Sequence, residues 1–357
     1  MPPGSRVPRD RDYYVNLGVN AIWELLEEEH AVVMPEIEAK ISEEAYGSSP
    51  LPVDPHHLTT ARKQLVQEHV LAEDTRVTRG GRPITVLLPA EDQGRRRKIE
   101  DAAKRKRLLH ARYLTLAMGN ASQPALLGTG GEAVVHATLR AAAPHGYQLL
   151  NPTSGEVRTL LGQPVVGGPL DNAAMLSVLD PATLASTSFL VLVEVKNVRS
   201  FLYPQAQEVH QVLYKAAEVA AAHPDLPVIP VLVCRRAHFS LFTMAKQLGM
   251  FVVQMKLQPV QPSKQLDLAH LEEIRTELGY RDLIVKDDAL PWMVDRLVTV
   301  LPREAPDFAA AWTRAAPTML PFSKSLRTGV LGGRDRGRLV DSLRDSVRQE
   351  LGQPVRW

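Results

Sequence analysis

One cysteine, Cys234, is the only thiol in a sequence of 357 residues. That excludes an internal disulfide, and no Cys/His spacing matches a zinc ligand set, so a reducing compartment fits best. No run approaches the ~20 apolar residues that span a bilayer. The opening Met1-Pro2-Pro3-Gly4-Ser5-Arg6 lacks the apolar stretch of a secretory signal, so a cytoplasmic protein without a membrane partner is expected. Charge of one sign is lacking too: 42 Lys and Arg face 40 Asp and Glu, a formal net of +2. Overall charge therefore argues neither for nor against nucleic acid, and its distribution matters more. Apolar residues, by contrast, make up 45% of the chain. At this length, that supports two or three separate cores.

From Asn16 to Pro89 the pattern predicts three helices and a hairpin. Ala21 to Glu29 is amphipathic through Ile22, Leu25 and Leu26, and Pro35 to Glu44 carries proline in its first turn. After the turn-rich Gly47 to Asp54, a third helix over Pro55 to His69 has Leu58, Leu65 and Val66 to pack. Its outward set is His57, Thr59, Thr60, Arg62, Lys63 and Gln64. Two β-rich runs follow, Thr75 to Thr78 and Ile84 to Leu88, joined through Arg79-Gly80-Gly81-Arg82-Pro83, where paired glycines suit a tight turn. This order resembles the winged helix-turn-helix family, which makes residues 1–90 a DNA-binding domain. The resemblance implies that Thr60, Arg62, Lys63 and Gln64 meet the major groove while Arg76, Arg79 and Arg82 meet phosphates. The alternatives are ordinary solvated charges or a protein-protein module.

The densest charge lies in residues 91–120: Arg95-Arg96-Arg97-Lys98, then Lys104-Arg105-Lys106-Arg107, then Arg112. Ile99, Ala102, Ala103, Leu108 and Leu109 give a partial apolar stripe, which predicts one basic linker helix. Lying along phosphates, with Arg95, Arg96 and Arg97 among the contacts, it would bind more weakly as salt rises, because counterion release drives such binding. The other reading is a solvated linker whose Glu100 and Asp101 offset part of the charge.

Residues 121–258 carry the chemistry. Gly128-Thr129-Gly130-Gly131-Glu132 precedes a helix over Ala133 to Ala143, and no GK[ST] follows, which rules out a phosphate loop of the ATP-binding kind. Strands are expected at Tyr147 to Leu150, Asn172 to Leu179 and Phe189 to Val195. The last is an apolar run ending Glu194-Val195-Lys196. Side chains alternate along a strand, so Glu194 and Lys196 share a face and Val195 takes the other. Two ionisable groups at the end of a core strand are costly unless they bind each other or a ligand. Asp171 stands where the chain enters the preceding strand after Gly167-Gly168-Pro169-Leu170, so pairing of the two strands brings it to Glu194. Two carboxylates in contact repel, and a hard divalent cation such as Mg²⁺ resolves that.

Asp171, the Glu194-Val195-Lys196 triplet and Glu132 on the preceding helix resemble the PD-(D/E)xK superfamily of restriction-endonuclease-like nucleases. The helix Pro204 to Ala222, the strand Val228 to Cys234, the helix Phe239 to Leu248 and the strand Met250 to Met255 continue the family order. Leu170, not proline, precedes the aspartate. The resemblance implies an α/β fold, a mixed sheet flanked by helices. It also implies Mg²⁺ or Mn²⁺ held by Asp171, Glu194 and the Val195 carbonyl, with Glu132 completing the shell and Lys196 orienting the attacking water. Gln207 or Gln211 would steady the site, and Arg235, Arg236 and His238 would hold phosphates. The alternatives are a structural Glu194–Lys196 ion pair, a Glu132 favoured only by its helix terminus, and a His136 that merely packs.

Residues 259–357 read as an accessory helical region: Leu266 to Leu278, Leu290 to Leu301, Pro306 to Ala315 and Arg334 to Leu351. The expected function is a metal-dependent endonuclease acting on double-stranded DNA, in restriction or defence, as a homo-oligomer that supplies two active sites. The alternative is a DNA-binding scaffold with a silent nuclease fold; an RNA-processing or repair nuclease would share the site.

Overall fold

In the computed structural model, which describes residues 10–78, 80–90, 93–121, 123–179, 182–352, 354–355 and 357, the chain forms two units. One contains the residues up to Ala125 together with Ser263–Leu283; the other contains Leu126–Pro262 and Ile284–Trp357. The stretch expected as one C-terminal region is thus divided between them.

In the first unit, Asp10 caps helix α1 (Arg11–Glu29) by accepting the Tyr13 N–H at 2.9 Å. Helix α2 (Met34–Ile37) continues through a wider π turn, Glu38–Ser42. Helix α3 (Pro55–Gln67) starts with Pro55 in its first turn and the Asp54 carboxylate on the His56 N–H. Ile22, Leu25, Leu26, Ile37, Ile41, Leu58, Ala61 and Leu65 pack into one core. Strands β1 (Leu71–Val77) and β2 (Pro83–Pro89) form an antiparallel hairpin; β1 begins four residues before the predicted run and ends one residue sooner, β2 extends the predicted run by one residue at each end, and Val32 bridges to Leu87 on β2.

Helix α4 (Arg96–Met118) buries Ile99, Ala103, Lys106, Leu109, Tyr113 and Leu116. Its apolar stripe therefore fixes it within this unit instead of leaving it as a linker, and helix Leu268–Glu277 lies beside it. Much of its charge is turned inward. Lys106 donates to Glu29 at 2.8 Å, to Glu36 at 2.6 Å and to the Glu277 carbonyl at 2.8 Å. Arg105 pairs with Glu277 at 2.5 Å, Arg107 with Asp74, and Arg112 with Glu273. Periodicity finds the helix but not these partners, because they lie far away in sequence.

In the second unit, five strands make a mixed sheet in chain order: β3 (Tyr147–Leu149), β4 (Asn172–Leu179), β5 (Ser186–Lys196), β6 (Val228–Cys234) and β7 (Phe251–Gln254). The first two pairings are antiparallel and the last two parallel. Helices α5 (Leu126–Ala142), α6 (Gln207–Ala222) and α7 (Phe239–Leu248) flank it. Alternation divides the core cleanly. Phe189, Val191, Val193 and Val195 of β5 pack with Val134, Val135 and Leu139 of α5, while Leu190 and Leu192 pack with Val209, Val212 and Leu213 of α6.

The prolines of the C-terminal stretch do not end their helix. Helix α8 (Leu301–Leu326) runs through Pro306, Pro317 and Pro321, all three exposed, while Ala305, Ala309, Trp312, Ala315, Ala316 and Met319 are buried. Packing of that stripe outweighs the hydrogen bonds that interior prolines forfeit. Helix α9 (Gly333–Leu351) completes the unit.

Burial pushes the Glu36 carboxyl above its ordinary pKa, against the pull of Lys106 and Lys40. Lys106→Ala leaves that fully buried acid with Lys40 as its remaining ammonium partner among the described residues and is expected to destabilise the first unit by about 2–3 kcal/mol in urea unfolding. Removing the exposed Arg96–Glu100 pair with Arg96→Ala should leave the midpoint unchanged.

Candidate active site

The β4/β5 register sets Asn172 opposite Val193, which carries Asp171, one residue before β4, to the level of Glu194. Asp171 is fixed there by the Val195 N–H, which donates to its Oδ2 at 2.6 Å. Glu194 is only 2% exposed, and its Oε2 accepts from Lys196 Nζ at 3.0 Å. Asp171, Glu194 and Lys196 are thus gathered at one end of the sheet, on the α6 side, with Val195 turned toward α5.

The electrostatics follow from crowding. Burial, and then the charge of Glu194, raise Asp171 to about 7, while Lys196 and the Val195 N–H pull it down. Burial alone would lower the Lys196 pKa, but the charges of Glu194 and Asp171 carry it above its ordinary value. Two acids in so small a volume are short of positive charge unless cations accompany them.

A second ammonium is present that sequence reading missed. Lys215 of α6 donates to Glu194 Oε1 and to the Pro169 carbonyl, so Glu194 lies between two lysines. Gly167 makes the approach possible. It has φ +91°, and a Cβ there would sit 2.9 Å from the Tyr214 ring and 3.5 Å from Lys215 Cγ. The available signal was the four-residue step Gln207, Gln211, Lys215 along one helix face, ending in a lysine among Val212, Leu213, Ala216 and Ala217.

Glu132 lies inside α5, beyond its first turn, so a helix-terminus preference does not account for it. The residue is exposed at the rim, yet partial desolvation of its carboxyl raises its pKa, with Lys196 acting in the other direction. Gly131 brings α5 against the strand end: a Cβ there would meet Asn197 Cβ at 2.8 Å and Val195 Cγ1 at 3.3 Å. His136 has its ring nitrogens 3.0 Å from the Asn172 side chain and 3.2 Å from the Pro152 carbonyl, a packing role. Gln211 is half-buried on α6, one turn before Lys215. Arg235 is buried and donates to the Arg199 carbonyl, and His238 caps α7 through Ser240, so neither presents a free phosphate ligand.

Among the described residues no three His, Cys, Asp or Glu side chains gather closely enough to hold a metal ion. The donors present are Asp171, Glu194 and nearby backbone carbonyls. All are oxygen, the chemistry of a hard divalent cation, and the raised pKa of Asp171 marks where such a charge would fit.

The residues expected at DNA divide into two sets. Arg62 pairs with Glu73 at 2.7 Å, Gln64 donates to Glu68, and Thr60 donates to the His56 carbonyl. Arg76 pairs with Asp74, Arg95 with Glu27, and Arg96 with Glu100. Arg82 donates to the carbonyls of Leu114 and Gly119 at the C-terminal end of α4, so it ties the hairpin to that helix. Lys63 and Arg97 are exposed, and neither makes an ion pair among the described residues. Arg79 lies outside the described residues. No helix among the described residues is long and apolar enough to cross a membrane.

Because Asp171 holds its proton to about pH 7 in the folded chain, against an ordinary 3.8, the unfolded state releases it first. Its contribution therefore makes stability fall from about pH 4 to about pH 7 and then level off. Asp171→Asn should gain on the native protein across that window in denaturant melts, and parallel curves would contradict the shift. Comparison with protein-family models, curated proteins and solved structures finds no match, so no relative lends this chain a family or a function.

Proposed function

We propose that the unit of Leu126–Pro262 and Ile284–Trp357 is a nuclease of the PD-(D/E)xK kind, hydrolysing phosphodiester bonds with Mg²⁺ or Mn²⁺, and that the N-terminal unit is a winged helix that binds double-stranded DNA. The observation that carries the reading is the meeting of Asp171, Glu194 and Lys196 at one sheet end, with Asp171 held by the Val195 N–H. The three-helix, two-strand order, with Val32 bridged to the hairpin, supports the winged helix.

Asp171, Glu194 and the Val195 carbonyl would hold the cation, with Glu132 reaching it through water. When bound, the cation supplies Lewis acidity at the scissile phosphate. Lys196 orients the attacking water and offsets charge as it develops on the phosphoryl oxygens. Gln211 steadies the site from α6. A duplex has two strands while the described residues hold one such constellation, so pairing of two copies belongs to this reading, and so does a role in restriction or defence against foreign DNA.

A second reading, a DNA-binding scaffold with a silent nuclease fold, draws support from Glu194, whose two oxygens are already taken by ammonium groups. One assay separates the two. Supercoiled plasmid with Mg²⁺ or Mn²⁺ should be cut by the native protein and at least about 100-fold more slowly by Lys196→Ala. DNA bound but uncut by both proteins would establish the scaffold. Structured RNA in the same assay, if cut in preference to plasmid, would redirect the substrate assignment.

For the N-terminal unit, reversing Lys63 and Arg97 to glutamate should weaken DNA binding across all sequences. It should also reduce the slope of log affinity against log salt by about 2. Fluorescence anisotropy over a salt series measures both, and an unchanged slope would remove these residues from the interface.

A further inference from the structure

We propose that Lys215 is the resident counter-ion of the Asp171–Glu194 site, filling the seat a divalent cation must take and becoming a phosphate ligand once displaced. The inference rests on the metal-dependent reading above and concerns how the site is loaded. Lys215 Nζ is bonded to Glu194 Oε1 and to the Pro169 carbonyl, two oxygens of the kind a hard cation selects. Its side chain is 9% exposed, and Gly167 lies against both its stem and the neighbouring Tyr214 ring. The Arg327 guanidinium, 4.2 Å from the centroid of that ring, holds the Tyr214 side chain from outside. This is a built position for an ammonium, not a chance surface pairing.

An ordinary ion pair needs one partner, and Lys196 already serves Glu194 at Oε2. A second lysine on Oε1 gives Glu194 an ammonium on each carboxylate oxygen, beside Asp171, whose Oδ2 is held by the Val195 N–H. A cation bound by Asp171 and Glu194 has to compete with Lys215 for Oε1, and binds more weakly for it. Once released, the ammonium keeps its charge, and the nearest new anion in a working complex is the substrate phosphate. The four-carbon stem gives it the reach. Divalent binding and nucleic-acid binding would then help each other, because each relieves what opposes the other.

The test is Mn²⁺ binding to the full chain without nucleic acid, read from the free-ion electron paramagnetic resonance signal. Lys215→Gln and Lys215→Met should each bind Mn²⁺ at least about tenfold more tightly than the native protein, a gain of about 1.4 kcal/mol. Lys215→Arg keeps the charge and should bind as weakly as the native chain. Circular dichroism identifies any variant that fails to fold, and glutamine, which retains a donor for the Pro169 carbonyl, is the decisive one. Unchanged or weaker Mn²⁺ binding by folded Lys215→Gln overturns the proposal, even if the native protein cuts DNA. Tighter Mn²⁺ binding with no cutting by any variant sustains the proposal and overturns the hydrolytic reading alone.

Discussion

A carboxylate that is nearly out of contact with water, at the end of a buried strand, organises the second unit. A carboxylate buried there calls for positive partners, since an isolated charge in low dielectric costs several kcal/mol. Lys196, two residues along the same strand face, is one partner; Lys215, brought by the crossover helix α6, is another. Each requires a different part of the fold. Lys196 needs β5 to stay regular to its last residue, and Lys215 needs α6 packed on that face through Val209, Val212 and Leu213. The glycine turn before β4 then lets the Pro169 carbonyl and Asp171 close on the same place.

The first unit applies the same physics to a different end. Lys106, Lys40, Glu29 and Glu36 form a charged cluster inside a small helical core, and Glu36 is fully buried. Here the charges neutralise one another with a main-chain carbonyl as the additional acceptor, and nothing in the arrangement calls for a ligand. In the second unit, Asp171 keeps one oxygen without a hydrogen bond among the described residues, and a raised pKa. That contrast, between a network closed on itself and one with spare acceptor capacity, separates a structural ion cluster from a candidate site.

Much of the sheet could be read from the chain because its signal is local. The apolar runs of β5 and β6 and the period of α6 are visible residue by residue, and alternation alone places Glu194 and Lys196 on one face. The meeting of Asp171 with Glu194 was legible only under the assumption that consecutive strands pair, which they do. Lys215 was only half legible: its apolar neighbours along α6 mark a lysine set in a packing stripe, but nothing local says which remote carboxylate it meets. The partners of the basic stretch Arg95 to Arg112 were hidden for the same reason. Its positive charge is local, but Glu27, Asp74, Glu273 and Glu277, which engage much of it, are remote in sequence.

Whether Asp171 and Glu194 seat a divalent cation can be seen by diffraction from Mn²⁺-soaked crystals at the manganese absorption edge. The expected result is an anomalous peak between the two carboxylates, at about 2.0–2.3 Å from their oxygens, with Lys215 withdrawn from Glu194. Saturating Mn²⁺ that leaves no peak there, with Lys215 still bonded to Glu194, would contradict such a seat.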